Sequence, residues 1–173
     1  MLIQSVLFTE EECQTIIGFR RTYPLIGDNG RNDVFVDFQY KFYHLRNISD
    51  IDWILDRLCH FFEDQTGLKI YHRPQKLNLH HFTEGDRFAK HIDRNFPVKE
   101  WNIGIVLNQD FEGGDYILYD EENNPLHIQK KTGNVCIYRS ATPHEVTPVV
   151  RGERWTIALF LSGLNTVKST NLI

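Results

Sequence analysis

Long apolar runs are missing from this chain of 173 residues, and none approaches the ~18 residues that a membrane-spanning helix needs. The opening stretch MLIQSVLFTEEE has no basic segment leading into an apolar one, so no secretory signal and a cytoplasmic setting are expected. Excess positive charge is missing too. A formal net charge of −4 and an isoelectric point near 6.0 remove the electrostatic reason to expect a nucleic-acid partner, leaving only a local basic groove as a route to one. Cysteine is scarce: Cys13, Cys59 and Cys136 stand far apart, odd in number and in no metal-type spacing. They read as free thiols in a reducing compartment. Repeats, low-complexity tracts and linkers are absent as well. The chain therefore reads as one domain over residues 1–173, large enough to close a core without staples. No feature sets an oligomeric state.

What is present is aromatic and β-like. Twelve Phe, seven Tyr and three Trp take the aromatics to 13%, which suits a strand-rich interior. Thr9 followed by Glu12 is a capping-box pattern that opens a helix through about Arg21, with Cys13, Ile16 and Ile17 on one face. Ser49 and Asp52 open a second helix, where Ile51, Ile54, Leu55, Leu58, Phe61 and Phe62 form an apolar stripe and Gly67 makes the stop. Between them, Asp33 to Tyr43 alternates apolar and polar residues as a strand does. After Leu68 the texture changes to short runs divided by turn residues. The runs are Lys76–Phe82, Phe88–Ile92, Trp101–Leu107, Tyr116–Tyr119, Leu126–Gln129, Asn134–Tyr138, Glu145–Val149 and Arg154–Leu161. About eight strands at short regular spacing predict a sandwich or barrel. The fold expected is mainly β: a helical N-terminal part over about 1–67, then a double-sheet roll over about 68–162.

The chemistry centres on His91-Ile92-Asp93, answered downstream by His144 and then Arg154. Two imidazoles and one carboxylate form the ligand set of a 2-His-1-carboxylate iron(II) site with open positions. His-x-Asp by itself is weak, since eight His and twelve Asp in 173 residues give about half an occurrence by chance. Geometry strengthens it. At a strand end, residues two apart project to one side, so His91 and Asp93 can grip one ion. His144 opens a later strand that can bring it across as the third ligand. Arg154 and Thr156, again two apart, offer a guanidinium and a hydroxyl suited to a carboxylate. The other reading is a surface His–Asp pair with His144 capping a loop. His44, His60, His72 and His127 lack comparable partners and read as surface or core residues. Of His80 and His81, adjacent on a strand, at most one can face the pocket.

Three stretches extend the pattern: LNLHHFTEGDRFAKHID, LNQDFEGGDYILY and KKTGNVCIYRSATPHEVTPVVRGERWTIALFL. Together, over about Leu77 to Leu161, the chain resembles the prolyl 4-hydroxylase-like branch of the iron(II)/2-oxoglutarate-dependent dioxygenases. The cation ten residues after the second His matches that family's spacing. The resemblance implies a double-stranded β-helix, or jelly roll. It implies His91, Asp93 and His144 as iron ligands, Arg154 on the C5 carboxylate of 2-oxoglutarate, and Thr156 as a helper. Dioxygen is the second co-substrate it implies, with ascorbate keeping the iron reduced.

Two departures stand out. Phe82 replaces a tyrosine that contacts 2-oxoglutarate, and Asn78 or His80, on the same strand face, becomes the candidate substitute. Tyr116 replaces a small residue and either narrows the pocket or packs on the sheet. The reaction implied is hydroxylation of an unactivated C–H bond with release of succinate and CO2, most simply on a prolyl or other amino-acid residue. A short peptide, a protein loop and a free amino acid are all admitted as substrates. Asp110–Gly114 and Arg94–Lys99 flank the expected mouth, where Arg94, Asn95 and Trp101 are candidate contacts. Two other classes stay open: a cupin-like metal enzyme needing no 2-oxo acid, and a non-catalytic ligand-binding β-roll.

Overall fold

Thr9 and Glu12 close the expected capping box. The Glu12 amide donates to Thr9 Oγ1 at 3.2 Å and the Thr9 amide to Glu12 Oε2 at 2.9 Å, starting helix α1 (Glu10–Gly18). A single 3₁₀ turn, Phe19–Arg21, carries the helical run to its expected end. Helix α2 (Ile48–Thr66) is capped at Asn47, ahead of the expected Ser49. The Asn47 side chain caps nothing; it accepts from Ser49 Oγ at 3.0 Å instead. Gly67 ends the helix in the left-handed region, at φ 68°. Arg57 of α2 forks onto Glu12 at 2.7 and 2.8 Å, tying the two helices together.

The computed structural model describes residues 1–28, 38–93, 100–162 and 164–165. A seven-stranded antiparallel sheet contains β1 (Leu2–Val6), β2 (Leu25–Asp28), β4 (Lys41–Leu45), β6 (Leu77–Phe82), β8 (Trp101–Val106), β12 (Asn134–Arg139) and β15 (Arg154–Leu161). Its order is β1-β12-β8-β15-β6-β4-β2. A five-stranded sheet contains β3 (Phe38–Gln39), β7 (Arg87–His91), β10 (Tyr116–Tyr119), β11 (Pro125–His127) and β13 (His144–Val146), in the order β11-β10-β13-β7-β3. Two small pairs complete the set: β9 (Phe111–Gly113) with β14 (Val149–Gly152), and β5 (Lys69–Ile70) with β16 (Leu164–Asn165). From β6 onward the chain passes from one large sheet to the other and back, β6 to β7 to β8, then β10, β12, β13 and β15. That alternation is the winding of a jelly roll.

Seven of the eight expected strands are present with ends shifted by at most two residues, while the run expected over Glu145–Val149 divides, stopping at Val146 in β13 and resuming at Val149 in β14. The run expected over Asp33 to Tyr43 divides at Tyr40, where the chain leaves the smaller sheet after β3 and enters the larger at β4. Its residues 33–37 lie outside the described residues. Strand β1 was not foreseen. It is held by pairing with β12, Leu2 opposite Tyr138 through Val6 opposite Asn134, and only that distant partner makes five weakly patterned residues a strand.

Alternation along the larger sheet separates two faces. Leu77, Leu79, Trp101, Ile103, Ile105, Val135, Ile137, Trp155, Ile157, Leu159 and Leu161 join one buried cluster with Ile51, Ile54, Leu55, Leu58 and Phe62 of α2. Each of these five helix side chains, fully buried, contributes about 1.5–3 kcal/mol through the area it removes from water. The intervening residues point the other way, between the two sheets. They include Asn78, His80, Phe82, Asn102, Gly104, Tyr138, Arg154 and Thr156, and they line a cavity rather than a core.

Candidate active site

His91 ends β7 and His144 begins β13, and the register sets them directly opposite one another. Asp93 lies two residues past His91, its backbone amide donating to the Ser140 carbonyl at 3.1 Å. One ligand atom from each of His91, Asp93 and His144 lies within 4.8 Å of the others. Both histidine Nε2 atoms are 3.7 Å from an Asp93 carboxylate oxygen. Each imidazole is oriented by its far nitrogen: His91 Nδ1 pairs with the Ala89 carbonyl and His144 Nδ1 with the Thr142 carbonyl, both at 2.8 Å. A carbonyl only accepts, so Nδ1 carries the hydrogen and Nε2 is left to bind a metal. Burial, then the neighbouring His91, holds His144 well below the usual imidazole range against the pull of Asp93. A neutral imidazole is the form that ligates a metal.

A polar ring fixes the carboxylate. Asn102 donates to Asp93 Oδ2 at 2.5 Å, and Ser140 Oγ donates to Asn102 Oδ1 at 2.8 Å. Asn102 and Ser140 are 3% and 2% exposed. Neither was singled out from the sequence. The available cue was one amide inside the otherwise apolar run WNIGIV.

Asp93 and His144 of the triad line a cavity of about 810 Å³ between the sheets. On the far wall Arg154 is 3% exposed, and its Nη1 is buried with no hydrogen-bond partner among the described residues. Burial lowers its pKa to about 10, so it stays charged at neutral pH. An unpartnered buried cation is costly unless an anion joins it. Its guanidinium carbon lies 4.9 Å over the Phe82 ring and 5.7 Å from that of Tyr116. Gly114 makes the room. At φ 58°, a Cβ there would stand 3.1 Å from Arg154 Cδ and 3.0 Å from Val149 Cγ2.

The remaining expected residues fall as follows. Thr156 lines the cavity, but its hydroxyl donates to the Ile105 carbonyl at 2.5 Å, so it retains only acceptor capacity. Asn78, His80 and Phe82 share one face of β6, as alternation requires, and all line the cavity. Asn78 Oδ1 pairs with His44 Nδ1 at 2.8 Å. His44 is thus a cavity residue, correcting its reading as a surface or core histidine; its partner lies 34 positions away. His80 is half-buried beside Tyr40, and desolvation pushes its pKa down to about 3. His81 faces the other way, stacked on Trp155 at 3.8 Å. Tyr40 stacks on Phe82 at 5.0 Å. Tyr116 does both things open to it, lining the cavity and packing on Phe82, Val146 and Val149. Trp101 is no substrate contact. It is 1% exposed, edge-on to Phe62 at 5.5 Å, because alternation sends it to the helix side. Arg94 and Asn95 lie outside the described residues.

Known proteins match this arrangement. Residues 77–162 match the 2OG-Fe(II) oxygenase superfamily. A PKHD-type hydroxylase of Paracoccus denitrificans is 25% identical over 85 residues, 43% of this chain; the chain spans 37% of that protein's length. A 2OG-Fe(II) oxygenase family oxidoreductase of Burkholderia pseudomallei superposes with a TM-score of 0.74 at 19% identity, covering 93% of this chain and 85% of the other. A prolyl hydroxylase of Trichoplax adhaerens, solved with a peptide fragment of hypoxia inducible factor, gives 0.74 at 18% identity, covering 94% and 82%. The matched segment runs from the first strand of the roll through every member of the His-Asp-His face to the end of β15, and on that match the chain belongs to the 2OG-Fe(II) oxygenase superfamily.

Proposed function

We propose that this chain is an iron(II)- and 2-oxoglutarate-dependent dioxygenase that hydroxylates an unactivated C–H bond, on a prolyl or other amino-acid residue of a peptide or protein. One observation carries the reading: a single cavity is lined by Asp93 and His144 of the His91–Asp93–His144 cluster and by Arg154, whose buried Nη1 has no partner among the described residues. Two imidazoles and a carboxylate would hold iron(II) and leave positions open. Arg154 would receive the C5 carboxylate of 2-oxoglutarate with its planar fork, in an arm walled by Thr156, Asn78, His80 and Phe82. When bound, the metal and the 2-oxo acid supply an oxidative decarboxylation that uses dioxygen, releases succinate and CO2, and delivers one oxygen atom to the substrate.

The chain's own residues do the rest. Asn102 and the Nδ1 bonds of the two histidines hold the ligand atoms in place. Asp93 occupies the position a halide would need, which favours hydroxylation over halogenation. Tyr40, Phe82 and Phe88 pack as an aromatic wall that keeps water from the reacting centre. His44, Phe160, Ser162 and Lys76 also line the cavity, and a substrate side chain would enter along them. The peptide bound in the Trichoplax structure supports a peptide-borne residue over a free amino acid. Ascorbate takes the role of the reductant that restores iron(II).

The test loads iron(II) and 2-oxoglutarate without air, reads the visible charge-transfer band, then admits dioxygen and measures succinate. Band and succinate are expected from the wild type and from neither His91→Ala nor His144→Ala, while Arg154→Ala raises the 2-oxoglutarate requirement. A wild type with neither band nor turnover overturns the reading. Dioxygen uptake without 2-oxoglutarate points instead to a metal enzyme of the cupin-like kind. Mass gain of one oxygen on proline-containing peptides then identifies the substrate.

A further inference from the structure

Tyr116 on β10 and Tyr138 on β12 belong to different sheets, yet their hydroxyls meet inside the cavity and hydrogen-bond to one another. Tyr138 is buried and Tyr116 half-buried, and desolvation raises both phenols above their ordinary range, so both keep their hydrogens at neutral pH. Two hydroxyls carry two hydrogens, and the bond between them uses one. Either oxygen can be the donor in that bond. When Tyr138 donates, the Tyr116 hydrogen is the one left over, with no acceptor among the described residues. The Tyr116 ring stands 5.7 Å from the Arg154 guanidinium carbon and 5.9 Å from the His144 ring, between the cation and the metal face. The two groups face the same need. Arg154 Nη1 is buried with no partner among the described residues, and the Tyr116 ring that faces its guanidinium carries a hydroxyl able to serve as the second donor to a carboxylate. Nearby Thr156 cannot fill that role, since its hydrogen is committed to Ile105. Phe82, opposite Arg154 in the β6–β15 register, has no hydroxyl.

We propose that Tyr116, oriented by Tyr138, is a co-substrate-binding residue that joins Arg154 in gripping the distal carboxylate of a 2-oxo diacid. The proposal rests on the dioxygenase reading of the cavity. It makes the site selective for a diacid and gives a physical reason for a large tyrosine in a cavity wall.

The experiment titrates the full chain, loaded with redox-silent Mn(II), with 2-oxoglutarate and with 2-oxovalerate, which lacks the second carboxylate, and reads heat by calorimetry. Tyr116→Phe removes one hydrogen bond to a charged group and should weaken 2-oxoglutarate about tenfold or more. It should leave 2-oxovalerate and Mn(II) affinity unchanged. Tyr138→Phe keeps the Tyr116 hydroxyl but frees it, and should weaken 2-oxoglutarate by a smaller factor, about threefold. Wild-type 2-oxoglutarate affinity in Tyr116→Phe overturns the proposal. So does equal weakening of both 2-oxo acids, which marks a packing role. Failure of the wild type itself to bind 2-oxoglutarate in the presence of Mn(II) overturns the dioxygenase reading as well, and is told apart because no variant is involved.

Discussion

Asn102 donates its side-chain amide to Asp93 Oδ2 at 2.5 Å from a strand that joins Asp93 only through the fold. The bond selects one orientation of the carboxylate, and the Ser140 hydroxyl on Asn102 Oδ1 prevents the amide from turning over. Asp93 is the shortest arm of the triad and the one without a ring to hold it. Its direction is therefore set by these two neighbours.

Asn102→Leu should keep the fold, since leucine suits a buried strand position, while weakening metal binding about 10–100-fold. Ser140→Ala should weaken it less. Mn(II) titration followed by electron paramagnetic resonance measures both, with circular dichroism as the control for folding. Unchanged Mn(II) affinity in Asn102→Leu would show that Asp93 needs no help.

Gly114→Ala tests the room made for Arg154. The new methyl meets Arg154 Cδ at 3.1 Å, at a backbone φ of 58° that alanine resists. A loss of about 1–2 kcal/mol in denaturant unfolding is expected. The 2-oxo acid should bind more weakly, with Mn(II) affinity near that of the wild type, because the displaced side chain is the one proposed to hold the co-substrate carboxylate.

Metal binding should raise thermal stability and do so through the triad. A ligand at a hundred times its Kd stabilises the folded state by about 2.7 kcal/mol, roughly 5–10 °C for a domain of this size. Scanning calorimetry in chelator and then in excess Mn(II) should show this shift in the wild type. His144→Ala should show almost none.

Acid should destabilise the metal-free protein in a defined window. Burial holds His80 at about 3, far below its unfolded value near 6.5. Between those two values the unfolded chain binds a proton that the folded chain refuses. Stability is therefore flat above about pH 6.5 and declines as pH falls, by up to about 1.4 kcal/mol per pH unit for this histidine. His144, also lowered by burial, adds to the same slope. Unfolding midpoints from pH 7.5 to 5 in chelator measure it, and His80→Leu should flatten the curve.

Much of the architecture was legible because its code is local. The Thr9–Glu12 box, the α2 stripe and Gly67 are statements about residues a turn apart, and they placed both helices. Alternation in LNLHHF and RWTIALFL placed β6 and β15 and sorted their residues into two faces. The missed pieces lacked such a code. Strand β1 is one, since five residues become a strand only by pairing with β12. Trp101 was misplaced for the complementary reason: a loop was expected to reach it, while strand alternation carried it to the helices.

His91 and Asp93, two apart at a strand end, and Arg154, ten residues beyond His144, were fixed by the chain itself. Spacing along a strand converts directly into shared direction in space. What only tertiary structure decided is everything that sets these groups to work. His91 faces His144 through the β7–β13 register, Asn102 aims Asp93, His44 meets Asn78 across the β4–β6 pair, and Tyr116 meets Tyr138 across two sheets. Register and sheet packing are global properties, settled by where the helices bury one face of the larger sheet. No local pattern could announce which polar side chains the other face would bring together.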